Sequence, residues 1–109
     1  MNNIEVIKTI KSMDTGIKTI VIDEICELAD KYDIEKVYLF GSRARGDYKE
    51  RSDIDLATEG GNGTRFALDV DELTSTLLMY DIVNLDKTVQ EELRESIRRE
   101  GRLMYEKVW

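Results

Sequence analysis

A chain of 109 residues is the size of one domain and can bury a single hydrophobic core. Its 23 acidic and 16 basic residues give a formal net charge of -7, which opposes nonspecific binding to the polyanionic backbone of nucleic acids. The sequence contains no histidine, which excludes Ser-His and Cys-His nucleophilic catalysis and the usual zinc sites.

The first residues carry only a weak helical pattern. Ile4, Ile7 and Ile10 recur at helical spacing, but the segment is short and a break follows it at Gly16. Residues 1–15 are therefore predicted to form an N-terminal extension or a short helix. Neither they nor any later stretch has the apolar run of a signal peptide or a transmembrane helix, so we expect a cytoplasmic protein with no membrane partner.

An apolar stripe predicts a more secure helix from Ile17 to about Tyr32, which would pack on a sheet. The residues of the stripe are Ile17, Ile20, Val21, Ile25, Leu28, Ala29 and Tyr32. Cys26 lies within this helix and is the only cysteine, so the sequence offers neither a disulfide nor a C-x-x-C motif. We expect Cys26 to pack as a small buried hydrophobic residue.

A glycine turn and a basic loop follow the first predicted strand. Residues 37–40 form a bounded run of β-branched and aromatic residues, which predicts a buried strand that ends at Gly41. Gly41 lets the main chain approach a ligand closely, and Ser42 adds a hydroxyl and an amide that can both face a phosphate. Arg43 and Arg45 lie in the same loop, and their guanidinium groups match phosphate oxygens. The loop is therefore predicted to bind an anion.

Two aspartates lie at the start of the second predicted strand, residues 53–58. Ile54 and Leu56 would face the core, which leaves Asp53 and Asp55 together on the other face. Magnesium commonly takes one or two such carboxylates together with phosphate oxygens. Two unit charges about 4 Å apart repel by roughly 4 kcal/mol at an effective dielectric of about 20, so a cation would relieve the pair. The alternative is that Asp53 begins a hairpin strand and Asp55 is merely solvated.

The rest of the chain predicts alternating helices and strands. We expect, in order, a glycine-rich turn at 59–64, a helix at 65–78, a strand at 79–83, a helix at 88–99 and a final strand near the C-terminus. The helix at 65–78 is predicted because Phe66, Val70, Leu73 and Leu77 recur at helical spacing.

Asp81 is a third candidate carboxylate. The alternation of the strand at 79–83 places it on one face with Met79 and Val83, so its neighbours are apolar. A carboxylate among apolar residues is destabilised unless it is paired or bound to a cation, which favours a metal ligand. Two alternatives remain: Asp86 is a nearby rival, and an aspartate in an edge strand can simply reach solvent.

The segment GSRARGDYKERSDIDL, which begins at Gly41, resembles the G-S-x10-D-x-D signature of the DNA polymerase beta-like nucleotidyltransferase superfamily. Its R-A-R-G part is most similar to the minimal nucleotidyltransferases, the MNT family, which pair with HEPN-domain proteins in toxin–antitoxin modules. The motif ends at Asp55, and the order of elements fits almost the whole chain after Gly16. The resemblance implies an α+β fold, with helices packed on a mixed sheet, and a single domain over residues 1–109.

The resemblance implies a Mg2+-dependent transfer of AMP from ATP to a tyrosine hydroxyl of a cognate HEPN toxin, with loss of pyrophosphate. Asp53 and Asp55 would bind two Mg2+ ions, for which Mn2+ is a possible substitute. Asp81 matches the third carboxylate of the family by its position after the intervening helix, although Tyr80 replaces the usual small aliphatic residue. Asp81 would complete the metal site on the acceptor side and help to deprotonate the attacking hydroxyl.

The same resemblance implies nucleotide binding by the loop. Gly41 and Ser42 would hold the β,γ-phosphates, and Arg43 or Arg45 would neutralise the leaving pyrophosphate. Two other functions stay open at this point. The chain could be an antitoxin that masks the toxin by binding alone, or a small-molecule nucleotidyltransferase of the antibiotic-modifying kind. Direct binding of nucleic acid is not expected.

Overall fold

The computed structural model describes residues 15–108. The predicted extension or short helix with Ile4, Ile7 and Ile10 lies outside the described residues. The helices and strands are α1 (Thr19–Lys31), β1 (Lys36–Phe40), α2 (Ser42–Arg45), β2 (Ile54–Glu59), α3 (Gly63–Leu73), β3 (Tyr80–Asn84), α4 (Glu91–Glu100) and β4 (Arg102–Glu106). Across this part of the chain, no helix is both long and apolar enough to cross a membrane.

The strands of the described segment form one mixed sheet in the order β3-β2-β1-β4. β1 is antiparallel to β2 and to β4, whereas β2 and β3 are parallel. Parallel neighbours need a crossover connection, and α3 supplies it between β2 and β3. The α+β fold with helices on a mixed sheet is thereby confirmed, and most predicted elements are present with ends shifted by one helical turn or less.

Helices α1 and α3 pack on one face of the sheet and enclose the larger core. Cys26, at 2% exposure, is buried there, as expected for a packing role. Each fully buried apolar side chain contributes about 1.5–3 kcal/mol relative to an exposed one. The core joins residues of both helices to inward-facing residues of the strands: Val21, Ile25, Ala29, Val37, Leu39, Ile54, Leu56, Phe66 and Val70.

Helix α4 covers only part of the opposite face. Its Ile97 packs with Phe40 and Ala57 in a second, smaller buried cluster. Because side chains alternate along a strand, Asp55 in β2 lies on the same face as Ala57. Asp81 in β3 lies on this face as well, since the parallel register pairs it with Asp55. Asp55 and Asp81 therefore lie on the face of the sheet that carries α4, away from α1 and α3.

Helix α3 ends at Leu73, well before the predicted end at residue 78. Thr74 has an extended backbone (φ −82°, ψ 154°), and its hydroxyl donates to the carbonyl one turn earlier at 2.7 Å. The amide of Ser75 donates to Glu24 of α1 at 2.7 Å, a tertiary contact that holds the chain in this extended path. Leu77, which was expected on the buried stripe, is 101% exposed. The predicted helical extension was wrong because the chain leaves the helix at Thr74 and the following Ser75 is held by α1.

Candidate active site

Asp55 and Asp81 lie side by side on neighbouring parallel strands. The register pairs Asp55 in β2 with Asp81 in β3, and it pairs Asp55 with Phe40 of β1 on the other side. β1 ends at Phe40, so the turn at Gly41 begins directly next to Asp55. The structure thus brings two predicted carboxylates and the start of the predicted phosphate loop to one place.

The turn at Gly41 lies against the Asp55 carboxylate. Gly41 has a φ of 76°, in the left-handed region that favours glycine. A Cβ at this position would overlap Oδ2 of Asp55. Ser42 then begins the short helix α2, which was not predicted and which Gly46 ends with a φ of 96°. Glycine at position 41 therefore permits a contact that any other residue would block.

The pKa of the Asp55 carboxyl is raised from 3.8 to about 6. The first cause is partial burial, and the like charges of Asp81 and then Asp53 add to it, whereas Arg45 and Arg43 oppose the rise. The ionised form of Asp55 is therefore destabilised at neutral pH in the protein alone. A divalent cation would favour that ionised form, so the electrostatics of the site suit a metal ion.

Asp53 and Asp81 have different surroundings from Asp55. Asp53 directly precedes β2, Asp81 lies in the edge strand β3, and both are exposed. The expectation that apolar neighbours desolvate Asp81 is therefore wrong, because an edge strand leaves this side chain open to solvent. The rival residue Asp86 lies in the turn after β3, where its Oδ2 accepts a hydrogen bond from the amide of Gly60 at 2.8 Å. Asp81 remains the better candidate because it is the residue paired with Asp55.

The carboxylates fit a metal ion that arrives with a phosphate ligand. Within residues 15–108, no group of three or more His, Cys, Asp or Glu side chains is arranged to hold a metal ion. This differs from the ligand set predicted for Asp53, Asp55 and Asp81, which requires all three to converge. Magnesium commonly binds one or two carboxylates and takes its other ligands from phosphates and water. The adjacent Asp55 and Asp81 meet that smaller requirement.

The two arginines of the loop have different surroundings. Arg43 is 1% exposed, and its guanidinium donates to main-chain carbonyls rather than facing solvent. The accepting carbonyls belong to Thr15, Lys49, Glu50 and Ser52. Arg45 is exposed and forms ion pairs with Asp47 at 3.3 Å and Glu100 at 3.2 Å. The predicted phosphate contact of Arg43 is thus not supported by its position, and the R-A-R pattern alone could not separate the two residues.

A groove lies between α1, the loop after α3 and the loop before β2. It encloses about 960 Å³, and its walls include Ile17, Leu77 and Met79, with Lys18 and Arg51 also contributing. Size and apolar lining are typical of small-molecule sites. However, none of the residues predicted for phosphate or metal binding lines this groove. The carboxylates and their glycine turn, rather than this groove, define the candidate active site.

Comparison with known proteins identifies the family. A sequence model described as "Polymerase beta, Nucleotidyltransferase" matches residues 23–108. The chain belongs to this nucleotidyltransferase family. A similar protein of Methanocaldococcus jannaschii, "Putative protein adenylyltransferase MJ0604", is 35% identical over 81 residues, which cover 66% of this chain and 79% of that protein. A second protein of the same organism and description, MJ0141, is 42% identical over 52 residues, or 48% of this chain and 43% of its own length.

Solved structures share the fold of this nucleotidyltransferase. A crystal structure of a toxin–antitoxin with AMP-PNP matches with a TM-score of 0.64 at 23% identity, over 78% of this chain and 73% of that chain. A mutant of the toxin–antitoxin MntA-HpeT matches with a TM-score of 0.63 at 21% identity, over 78% and 73% of the two chains. At these identities the likeness establishes the fold, and it confirms the nucleotidyltransferase fold predicted from the G-S and D-x-D motifs.

Proposed function

We propose that this nucleotidyltransferase moves AMP from ATP to a hydroxyl group of a partner protein, with release of pyrophosphate. The observation that carries the proposal is the pairing of Asp55 with Asp81 directly beside the turn at Gly41. A metal-binding carboxylate pair is thereby adjacent to a turn suited to phosphate. The name of the relative MJ0604, which is 35% identical, supports a protein as the acceptor.

In the proposed site, the aspartates bind metal ions and the turn at Gly41 binds phosphates. Asp53 and Asp55 would hold two Mg2+ ions, or Mn2+, with Asp81 completing the site on the acceptor side. When bound, the ions stabilise the charge on the transferring phosphate and activate the acceptor hydroxyl. Gly41 and Ser42 would hold the β,γ-phosphates, because the left-handed turn brings the main chain close to the carboxylate. Asp55 is the most buried of the three aspartates and lies beside both Asp81 and the turn at Gly41, which supports a central role for it.

In the reaction, the acceptor oxygen attacks the α-phosphorus, and the bond from that phosphorus to the oxygen bridging to the β-phosphate breaks. The hydroxyl proton passes to Asp81 and from there to solvent, to which Asp81 is exposed. Pyrophosphate leaves on the side of the Gly41 turn, where Arg45 neutralises its charge. To do so, Arg45 must exchange its ion pairs with Asp47 and Glu100. Such surface pairs contribute only about 0–1 kcal/mol each, so the exchange is feasible.

We further propose that the acceptor is a tyrosine of a cognate HEPN toxin, with which the chain forms a hetero-oligomer. The resemblance of the R-A-R-G segment to the MNT family supports this choice, as does the fold shared with the toxin–antitoxin structures. Leu77 and Met79, at 101% and 67% exposure, also favour a protein partner, because exposed apolar groups cluster at association sites. The cytoplasmic location and the single domain inferred from the sequence stay predictions.

The test is the intact mass of the purified toxin after incubation with this chain and Mg-ATP. We expect a gain of one or more AMP units, located to a tyrosine by fragmentation. Asp55→Asn should abolish the gain, whereas Glu27→Gln, an equal change of charge on the exposed side of α1, should keep it. An unmodified toxin in the presence of the unsubstituted chain would contradict the proposal.

A second candidate function is masking of the toxin by binding alone. It is favoured by the exposed apolar side chains of Leu77 and Met79, which could contact a partner without any chemistry at the carboxylates. Co-expression of the toxin with a chain carrying both Asp53→Ala and Asp55→Ala separates the two functions. Loss of neutralisation supports AMP transfer, whereas persistent neutralisation with no gain in toxin mass supports masking.

A further inference from the structure

We propose that Arg43 is a positioning residue, which holds the loop that carries Asp53 and does not contact the nucleotide. The effect of Arg43 on the rate of AMP transfer rests on the function proposed above. Its effect on the position of the loop does not depend on that function. Arg43 and Arg45 look equivalent in the R-A-R sequence. The structure separates them, because one guanidinium is enclosed by the loop and the other lies at the surface.

The donors of Arg43 are committed to the main chain. Nε donates to the Ser52 carbonyl at 3.0 Å, and Nη1 donates to the Thr15 carbonyl at 2.9 Å. Nη2 donates to the carbonyls of Glu50 at 3.1 Å and Lys49 at 3.4 Å. A guanidinium has donors on all three nitrogens and no acceptor, and each nitrogen is used here. Four of its five N–H groups are thus engaged, and because Arg43 is 1% exposed, a phosphate could reach the remaining one on Nη1 only if the loop opened.

The surroundings of Arg43 are shaped for this arrangement. The ring of Tyr48 lies 4.9 Å from the guanidinium carbon, within the range of a cation–π interaction. Gly16, with a φ of 73°, has no side chain and so leaves space for the guanidinium and the Tyr48 ring. A Cβ at Gly16 would stand 2.7 Å from Nη1 of Arg43 and 2.5 Å from the Tyr48 ring. The buried charge is therefore enclosed by an aromatic ring, a glycine and carbonyl oxygens, with no room for a nucleotide phosphate between them.

The carbonyls bound by Arg43 belong to a turn that leads directly to Asp53. The Ser52 amide donates to the Lys49 carbonyl at 3.0 Å, and the Lys49 amide donates to the Ser52 hydroxyl at 2.8 Å. Arg43 binds the carbonyls at both ends of this turn. The next residue is Asp53, and the chain enters β2 where the Ile54 amide donates to the Met79 carbonyl at 2.9 Å. Asp53 is thus fixed between Arg43 on one side and the sheet on the other.

Arg43 also ties this turn to the segment before α1 through the carbonyl of Thr15. Thr15 is fully buried, at 0% exposure, and its hydroxyl accepts a hydrogen bond from the Ile17 amide at 3.2 Å. The loop is therefore anchored to a buried part of the fold rather than to another surface loop. Lysine in place of Arg43 would keep the charge but could not reach carbonyls in three directions, because its donors lie on a single nitrogen.

The test compares Arg43→Lys with Arg45→Lys, and Arg98→Lys on the exposed side of α4 serves as a control for the change of residue type. The first measurement is amide hydrogen exchange at Lys49 and Ser52 without nucleotide or metal. Arg43→Lys should make exchange at these amides about tenfold faster or more, because the turn opens locally when its anchor is weakened. Arg45→Lys and Arg98→Lys should leave both exchange rates unchanged.

The second measurement is the rate of AMP transfer as a function of Mg2+ and ATP concentration. Misplacement of Asp53 should lower kcat by roughly tenfold to a hundredfold in Arg43→Lys, and higher Mg2+ should restore part of the rate. The KM for ATP should change little. Arg45→Lys should show the opposite pattern, with a raised KM for ATP and no restoration by Mg2+.

Two outcomes overturn the inference. Unchanged exchange at Lys49 and Ser52 in a folded Arg43→Lys chain shows that Arg43 does not hold the loop, and a raised KM for ATP with unchanged kcat shows that it contacts the nucleotide. If the unsubstituted chain transfers no AMP, the proposed function fails and the exchange rates alone decide the role of Arg43. If Arg43→Lys does not fold, Tyr48→Leu replaces it. This variant removes the ring over the guanidinium and should speed exchange in the same direction, and unchanged exchange would count equally against the inference.

Discussion

Replacement of Asp55 by asparagine should stabilise the protein at neutral pH while it abolishes AMP transfer. The reason is that the folded state raises the pKa of this carboxyl from 3.8 to about 6, chiefly by burial. Below pH 3.8 the carboxyl is protonated in both the folded and the unfolded state, so it carries no penalty. As the pH rises through about 6 the folded protein must ionise a disfavoured group, and the full penalty is present above that value.

The size of the penalty follows from the pKa values. A pKa of about 6 in place of 3.8 corresponds to ~3 kcal/mol at neutral pH. Asp55 is only partly buried, so solvent screening reduces this figure, and we expect Asp55→Asn to raise the free energy of unfolding by about 1–2 kcal/mol at pH 7. For a domain of this size, that gain corresponds to a rise in melting temperature of roughly 5–10 °C.

The assay is thermal or urea unfolding of both chains between pH 4 and pH 8, without metal or nucleotide. The difference in stability should be small near pH 4 and reach its maximum above about pH 6, the folded-state pKa of Asp55. Glu27→Gln removes an exposed carboxylate of α1 and should show no such rise. If Asp55→Asn is less stable than the unsubstituted chain, or if the difference in stability does not vary with pH, then the ionised Asp55 carboxylate does not destabilise the folded protein.

Three further predictions test the ligand, the turn and the core. Mg2+ or Mn2+ with ATP, at a ligand concentration of roughly a hundred times Kd, should stabilise the chain by about 2.7 kcal/mol in a melting assay. Asp53→Asn should lose most of this rise in melting temperature. An equal rise in the variant would show that the metal site lies elsewhere. Gly41→Ala should cost about 1–3 kcal/mol and weaken nucleotide binding, because its Cβ overlaps Asp55. A stable variant with normal nucleotide titration would contradict that contact. Phe66→Ala should cost about 3–5 kcal/mol, and Leu77→Ser less than about 0.5 kcal/mol. Similar losses in urea unfolding would contradict the exposed position of Leu77.

The part of the site on β1 and β2 was predictable because local signals determine it. A glycine after a buried strand marks the turn, and alternation of Ile54 and Leu56 with the aspartates determines which face they occupy. The antiparallel pairing of the two strands then brings Gly41 next to Asp55. The spacing of G-S and D-x-D is therefore a family signature that also reflects the antiparallel pairing of β1 with β2.

The rest depends on contacts between residues far apart in the chain, which a single sequence does not display. α3 ends early because Glu24 binds the amide of Ser75. Arg43 turns inward because Thr15 and the turn at residues 49–52 offer it carbonyls. A periodic pattern shows neither contact, because Glu24 and Ser75, like Thr15 and Arg43, lie far apart in the sequence. The helical extension was thus plausible on local grounds and decided by tertiary structure, and the enclosed position of Arg43 is set by contacts that the R-A-R pattern does not display.

The strand order also separates the two paired carboxylates. Asp55 lies in the inner strand β2 and Asp81 in the edge strand β3, so the same register gives one partly buried and one exposed carboxylate. A group that must release a proton to solvent has to be accessible, which suits Asp81. A group whose ionised form is costly in the free protein binds a cation with a corresponding gain, which suits Asp55. The roles proposed above, a central metal ligand for Asp55 and proton transfer at the acceptor side for Asp81, are thus consistent with the position of each strand in the sheet.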